Sequence, residues 1–396
     1  MKKLIAFAVA LLFLSVTGIA AATDVTISGD YFVRGSYQKN AEGSDAMSQS
    51  DESGTMYYDH ELNLNLNWKV DDNTIIFSQF EMRDETWGSN NPKEGSTYDE
   101  TSNESTLQNN VVVEKAYAWH KFANSHQLSV GLMPSGAWGT AFGDNGSEAY
   151  RLKYSIPTDA ATIIGIVQKN TESSDISTGQ GESEDVDAYY VAFLAKAGAI
   201  NVKPLFGYAN LGNDGDKLAA HIAFDGSFGN VGFESEFIIA DVDYEAKQDT
   251  RTYGAYMNVW HASGPLKAGV AGAYGSYDDD AKAGFTLGPD FDAGGAMILG
   301  YDNDLSACWL GALYADYAVN DKLSVGGYAG IGRSIDESTT ALDGAKLWEV
   351  SADAAYKITD NIVYDLGAGV AQLKNGDSSA DPDKAFRLFH RLTVNF

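Results

Sequence analysis

Apolar and polar residues alternate with a period of two along most of the chain. From Leu62 to Lys69 one face reads Leu62, Leu64, Leu66 and Trp68, and the other Asn63, Asn65, Asn67 and Lys69. Tyr150 to Ile156 repeats the pattern, with Arg151 and Lys153 on its polar side. Leu218, Ala220, Ile222 and Phe224 alternate with Lys217, His221 and Asp225. In the final segment Phe386, Leu388, Leu392, Val394 and Phe396 oppose Arg387, Arg391, Thr393 and Asn395, with His390 on the apolar side. Such alternation predicts β-strands with one apolar and one polar face.

A soluble sandwich alternates in the same way, so the connections decide. Short turns fall near 71–73, 123–125, 157–159, 197–199, 225–230, 262–265, 320–321 and 359–361. Between them lie longer polar stretches near 39–55, 86–109, 134–148, 171–185, 211–215, 244–249, 278–304, 334–344 and 375–384. Short turns at one end and long loops at the other are the connection pattern of a transmembrane antiparallel β-barrel. Eight short and nine long connections predict eighteen strands in an all-β fold, or sixteen if the pair around 186–210 is misread. Pro204 cannot donate to a ladder and predicts a bulge or a shifted boundary there.

Residues 1–22 have the form of a cleaved signal peptide: Lys2 and Lys3, an apolar run from Leu4 to Val16, and an A-x-A site at Ala20-Ala21-Ala22. The expected mature domain is 23–396. It holds no apolar run near the ~20 residues a membrane helix needs, so strands must do any spanning. Phe396, an aromatic ending an alternating strand, resembles the signal by which outer-membrane barrels reach their assembly machinery. Export to the outer membrane of a Gram-negative bacterium is the expectation, with outer-membrane lipid and lipopolysaccharide as surroundings.

Composition narrows the chemistry. The 396 residues carry 27 Lys+Arg against 55 Asp+Glu, a formal net charge of −28. Nucleic acid is excluded as a partner, because phosphate binding needs clustered cations. The single cysteine, Cys308, excludes a disulfide framework and paired-cysteine zinc motifs. The His residues lack H-x-x-x-H spacing, and no Gly-x-Ser-x-Gly elbow occurs. Asp144-Asn145-Gly146, Asn213-Asp214-Gly215-Asp216 and Asp302-Asn303-Asp304 lack the spaced acids and distal Glu of a calcium loop. No cofactor and no catalysis are expected. A barrel protease or lipase, the rival reading, needs a Ser–His or Asp–His pair in the lumen or at the rim. Divalent ions bridging the acidic loops to lipopolysaccharide are a further expectation.

Barrel width then sets the function. About eight strands enclose a side-chain-filled interior, whereas sixteen to eighteen leave an aqueous channel. Passive diffusion of small hydrophilic solutes follows, with a weak cation preference; a substrate-selective, sugar-type channel is the alternative. The inward positions carry Arg34, Lys69, Arg83, Arg151, Lys153, Arg387 and Arg391, most of them in one sector. Glu234, Glu236, Asp316, Glu349, Asp353 and Asp365 lie roughly opposite, and together the two sectors set a transverse field across the pore. Glu81 and Glu114 interrupt the basic side. Trp68, Trp87, Trp119, Trp260, Trp309 and Trp348 fall near strand ends and predict interfacial girdles, mostly on apolar faces.

One stretch is more specific. Glu114-Lys115-Ala116-Tyr117-Ala118-Trp119-His120, then Val130-Gly131-Leu132, the loop Pro134 to Glu148, and Tyr150-Arg151-Leu152-Lys153-Tyr154-Ser155-Ile156-Pro157 resemble the corresponding stretch of the general trimeric porins. That resemblance implies a third loop folded into the barrel, with Arg151 as the wall arginine and Asp144 and Glu148 as loop acids facing it. Lys153 and Arg34 join by position, and inward Arg83 and Glu114 complete the expected constriction. A homotrimer is implied as well. The family's Pro-Glu-Phe-Gly-Gly loop sequence is absent; Phe142-Gly143-Asp144 stands in its place. The acidic, Ser/Gly-rich loops resemble those of porins from sulfate- and metal-reducing proteobacteria.

Overall fold

The computed structural model describes residues 24–40, 54–87, 111–136, 138–144, 146–172, 185–288, 291, 295, 297–298, 305–337, 343–376 and 383–396. Arg83, Asp84, Glu85 and Thr86 are described in their backbone only. The leader expected over 1–22 lies outside the described residues.

Eighteen antiparallel strands close into one sheet. They are β1 (Asp24–Lys39), β2 (Thr55–Asp71), β3 (Thr74–Thr86), β4 (Val112–Lys121), β5 (Gln127–Pro134) and β6 (Glu148–Pro157). There follow β7 (Ala161–Thr171), β8 (Val186–Ala197), β9 (Ile200–Asn210), β10 (Gly215–Phe228), β11 (Val231–Tyr244), β12 (Thr250–Ser263) and β13 (Leu266–Gly275). After β13 comes a minimal ladder, β14 (Tyr277–Asp278) with β15 (Ala283–Gly284), which stands apart from the barrel. The wall resumes with β16 (Cys308–Ala318), β17 (Leu323–Ser334), β18 (Lys346–Thr359), β19 (Ile362–Lys374) and β20 (Ala385–Asn395). Each wall strand pairs with its neighbour in sequence, and β20 pairs with β1 from Asp30↔Asn395 to Lys39↔Phe386. All eight short and nine long connections stand where the alternation put them, so the eighteen-strand alternative holds. Closure leaves no edge strand, and the ladders pair the backbone groups that hydrocarbon could not.

Register fixes which residues face out. On β16 and β10 the outward side chains include Leu313, 64% exposed, and Leu218, 60% exposed. These apolar side chains touch little of their own chain; hydrocarbon, not water, suits them. His390 does lie on this outer face, beside Tyr58 and Tyr364. Pro204 sits in β9 without the expected bulge. The β8–β9 ladder omits Phe193 and Leu194, which face Pro204 and Lys203 respectively, and resumes at Ala195↔Val202 in the same register. The ring thus removes bonds locally without inserting a residue.

Two expectations about faces change. Trp68, Trp309 and Trp348 look outward, and Trp87 stacks on outward Tyr58 at 5.3 Å. Trp119, opposite Ser129, and Trp260, opposite Gly269, instead face the lumen. The lumen wall is also less polar than expected: Ile164, Ile166, Ala192 and Leu205 form a buried inward cluster. That is tolerable because loop residues cover them, as follows.

Candidate functional site

Two long connections fold into the barrel, one expected and one not. The expected one, 135–147, leaves β5 and returns to β6. Its neck is tied by Ser135 N–H donating to Ser147 O at 2.8 Å. Arg151 reaches the same neck, donating through Nη1 to Pro134 O at 2.8 Å and through Nη2 to Ser135 O at 2.9 Å. Its Nε donates to Gln168 Oε1 at 2.6 Å. The loop then crosses to the far wall. Trp138 Nε1 donates to Lys203 O at 2.9 Å while its ring covers the Ile164 cluster. Thr140 N–H and Oγ1–H both donate to Glu236 Oε2, at 2.9 and 2.8 Å. Gly139 and Gly143 approach Ala223, Ile238 and Glu236 so closely that any Cβ would collide.

Phe142 ends the crossing, fully buried. It stacks on Tyr256 at 5.8 Å and Phe285 at 5.4 Å and meets Phe291 edge-on at 5.4 Å. Phe285 and Phe291 belong to the second infolded connection, 276–307, where alternation alone predicts an external loop over 278–304. The two loops are joined by Gly288 N–H donating to Phe142 O at 2.9 Å. Farther on, Met297 N–H donates to Glu349 Oε1 at 2.5 Å, and Ile298 N–H shares both Glu349 oxygens at 3.3 Å. Arg387 Nη1 donates to Met297 O at 2.8 Å. A carboxylate and a guanidinium from the wall therefore grip the same short piece of loop backbone.

On the wall of β3–β8 a recess of about 530 Å³ remains. Phe77, stacked on Tyr117 at 4.9 Å, and Trp119 supply its aromatic side. Ser129, Ser155 and Thr162 add hydroxyls, Ile75, Ile164 and Leu194 add apolar surface, and Lys153 is its one charged group. Among the described residues Lys153 has no hydrogen-bond or ion-pair partner. A smaller recess of about 370 Å³ shares Thr162 and Leu194 and continues toward the 157–161 turn past Lys196 and Lys203. Lys203 is paired with Asp225 at 2.6 Å.

The expected constriction set is therefore divided. Lys153 faces the recess on the lumen wall. Arg151 props the loop neck and does not meet Asp144 or Glu148; carbonyls freed where the strand breaks into the loop are its nearer acceptors. Asp144 turns its own loop, accepting from Gly146 N–H at 2.9 Å. Glu148 lies within electrostatic reach of Glu114, Lys115 and Asp144. Glu114 occupies a register shift between β3 and β4. Arg34 is ion-paired, its Nε 3.2 Å from both oxygens of Asp59, whose side chain is 1% exposed. The side chain of Arg83 lies outside the described residues.

Of the remaining basic sector, Lys69 pairs with Asp72 at 2.8 Å in the turn and Arg391 with Asp365 at 3.2 Å. Of that expected basic sector, Lys153 is the cation with no partner among the described residues; Lys217 on β10 and Lys267 on β13 are further inward cations outside it. Asp316 and Asp353 converge beside Gly326, roughly across the barrel by strand order. Glu236 and Glu349, expected as field-generating wall acids, are loop anchors instead.

No protein-family model matches the sequence, and no curated protein does. Solved structures do match in shape. OpdK of Pseudomonas aeruginosa aligns with TM-score 0.60 over 93% of this chain and 99% of its own, at 11% identity. A BenF-like porin of Pseudomonas fluorescens Pf-5 aligns with TM-score 0.63 over 94% and 98%, at 10% identity. OccK2 (OpdF) of Pseudomonas aeruginosa aligns with TM-score 0.59 over 93% and 98%, at 9% identity. At these identities the likeness is one of fold: the chain is a closed eighteen-strand barrel of the kind found in outer-membrane porins.

Proposed function

We propose that the protein is a substrate-selective outer-membrane channel that guides small hydrophilic organic anions along the β3–β8 wall. The observation that carries this reading is Lys153, uncompensated within a recess whose other surfaces are aromatic, aliphatic and hydroxylic. A carboxylate can meet the ammonium while a ring lies on Phe77, Tyr117 and Trp119. Two of the similar structures hold vanillate and glucuronate, molecules that join a carboxylate to a six-membered ring. The infolded loops support the same reading, since they replace a wide pore with a shaped passage.

Inorganic ions respond to the whole lumen instead. The carboxylates of Asp316 and Asp353 and the acidic external loops offset the inward cations, leaving a weak cation preference in a potassium chloride gradient. No step of this reading needs catalysis or a cofactor. In planar bilayers, millimolar benzoate should interrupt the ohmic current, whereas equimolar benzyl alcohol should not. Lys153→Gln should abolish the interruptions while keeping the open-channel conductance. Equal interruption by the acid and the alcohol would sink the anion reading and leave an unselective pore.

A further inference from the structure

The outer face of the barrel carries a cationic row that the channel does not use. At the long-loop end of the wall, Arg333 on β17 lies in register with Lys346 on β18, and Lys346 with Lys374 on β19. All three are on the outward face, above Ile331 and Val350. Like charges placed directly opposite in adjacent strands repel, and here two such pairs stand side by side. Trp348, outward on β18, lies beneath the row, and Lys384 stands 5.8 Å from its ring centre.

Other outward rim cations show what compensation looks like in this chain. Lys169 at the end of β7 is surrounded by Asp185, Glu172 and Asp187 at 2.8, 3.1 and 3.2 Å. Arg251 at the start of β12 is paired with Asp241. Among the described residues Arg333, Lys346 and Lys374 have no acidic partner, although Asp336, Glu337 and Asp343 stand in the adjoining loop. In a chain with a net charge of −28, a cationic row that local acids leave unpaired marks a place where anions come from elsewhere.

We propose that the outward rim of β17–β19 binds the phosphorylated headgroup of an outer-leaflet glycolipid. Arg333, Lys346 and Lys374 take the phosphates, and the acyl chains lie on the apolar wall below. Charge complementarity selects the headgroup, and continuity with the apolar band selects a lipid over free phosphate. This site is distinct from divalent bridging by the acidic loops, because it needs no metal ion.

The test uses the purified full-length protein in detergent with EDTA present and lipopolysaccharide as the probe. A chain carrying Arg333→Gln, Lys346→Gln and Lys374→Gln should bind on the order of a hundredfold more weakly. Phosphatase-treated lipopolysaccharide should show the same loss with the wild-type chain, and millimolar inorganic phosphate should not displace the lipid. Lys169→Gln should leave binding unchanged. Where the triple variant does not fold, the single Lys346→Gln chain and the salt dependence of wild-type binding decide. Salt-independent binding, equal binding of the dephosphorylated lipid, displacement by inorganic phosphate, or unaltered affinity in the folded variants overturns the site.

Discussion

Glu236 and Glu349 occupy inward strand positions that a period of two assigns correctly, yet the period says nothing about what meets them. Each is about 1–2% exposed and spends its carboxylate on loop backbone: Thr140 for one, Met297 and Ile298 for the other. A hydrogen bond to a charged group is worth about 1.5–3 kcal/mol, enough to hold a short segment in place. Glu236→Ala and Glu349→Ala should each leave a folded barrel whose single-channel conductance is larger and noisier than wild type. Unchanged conductance in both would show that Phe142 and its partners hold the loops without the carboxylates. Arg151 carries the same lesson. Its inward direction was legible, but its acceptors are main-chain oxygens that no residue-type pattern displays.

At the scale of elements, strands and turns were legible because two faces in different solvents impose alternation on every wall segment. The 276–307 connection was not, since its buried residues Phe285, Leu287, Phe291, Met297 and Ile298 follow no period. The available signal was simpler: five large apolar side chains in a stretch assigned to solvent. That connection leaves β13 through a tight turn at Asp278. Backbone N–H groups of Arg251, Ala281 and Asp280 hold the Asp278 carboxyl below the usual carboxylate range. Because its folded value is depressed, its contribution is complete above the unfolded carboxylate value near 3.8 and fades as pH falls through the lower folded one. Conductance should therefore be steady from neutrality to about pH 5. An Asp278→Asn chain should lose that contribution at every pH; an Asn variant identical to wild type at pH 7 would remove Asp278 from the loop's anchorage.

For the whole molecule, closure is made by the first and last strands, β1 and β20. Gly29 N–H donates to Phe396 O at 2.9 Å, and Phe396 N–H donates to Gly29 O at 3.0 Å. The Phe396 ring and Asn63 O fill the space where a Cβ on Gly29 would go. Gly29→Val should cost on the order of 1–3 kcal/mol through this clash and lower the temperature at which the barrel loses its compact electrophoretic form. Retention of the wild-type transition would mean that the seam has room to spare. Net charge and composition alone argue against nucleic acid as a partner. The distribution of charge needed the register, which showed Arg34 and Arg391, neighbours across the seam, each neutralised by its own aspartate.

The seam also governs how the molecule comes into being. Asn40 and Lys384, joined by a hydrogen bond from Asn40 Nδ2 to Lys384 O, are 344 residues apart. Neighbouring strands form short-range hairpins, but the final pairing joins β1 and β20, the wall strands farthest apart in sequence. Contacts of such sequence separation are slow to form, so the β1–β20 seam is expected to close after the local hairpins. Without β20, the edge of β1 that does not face β2 has no partner, and the barrel cannot close as it does here. The last strand is thus a condition on all the others: without it every hairpin belongs to an open sheet, and none of them encloses a lumen.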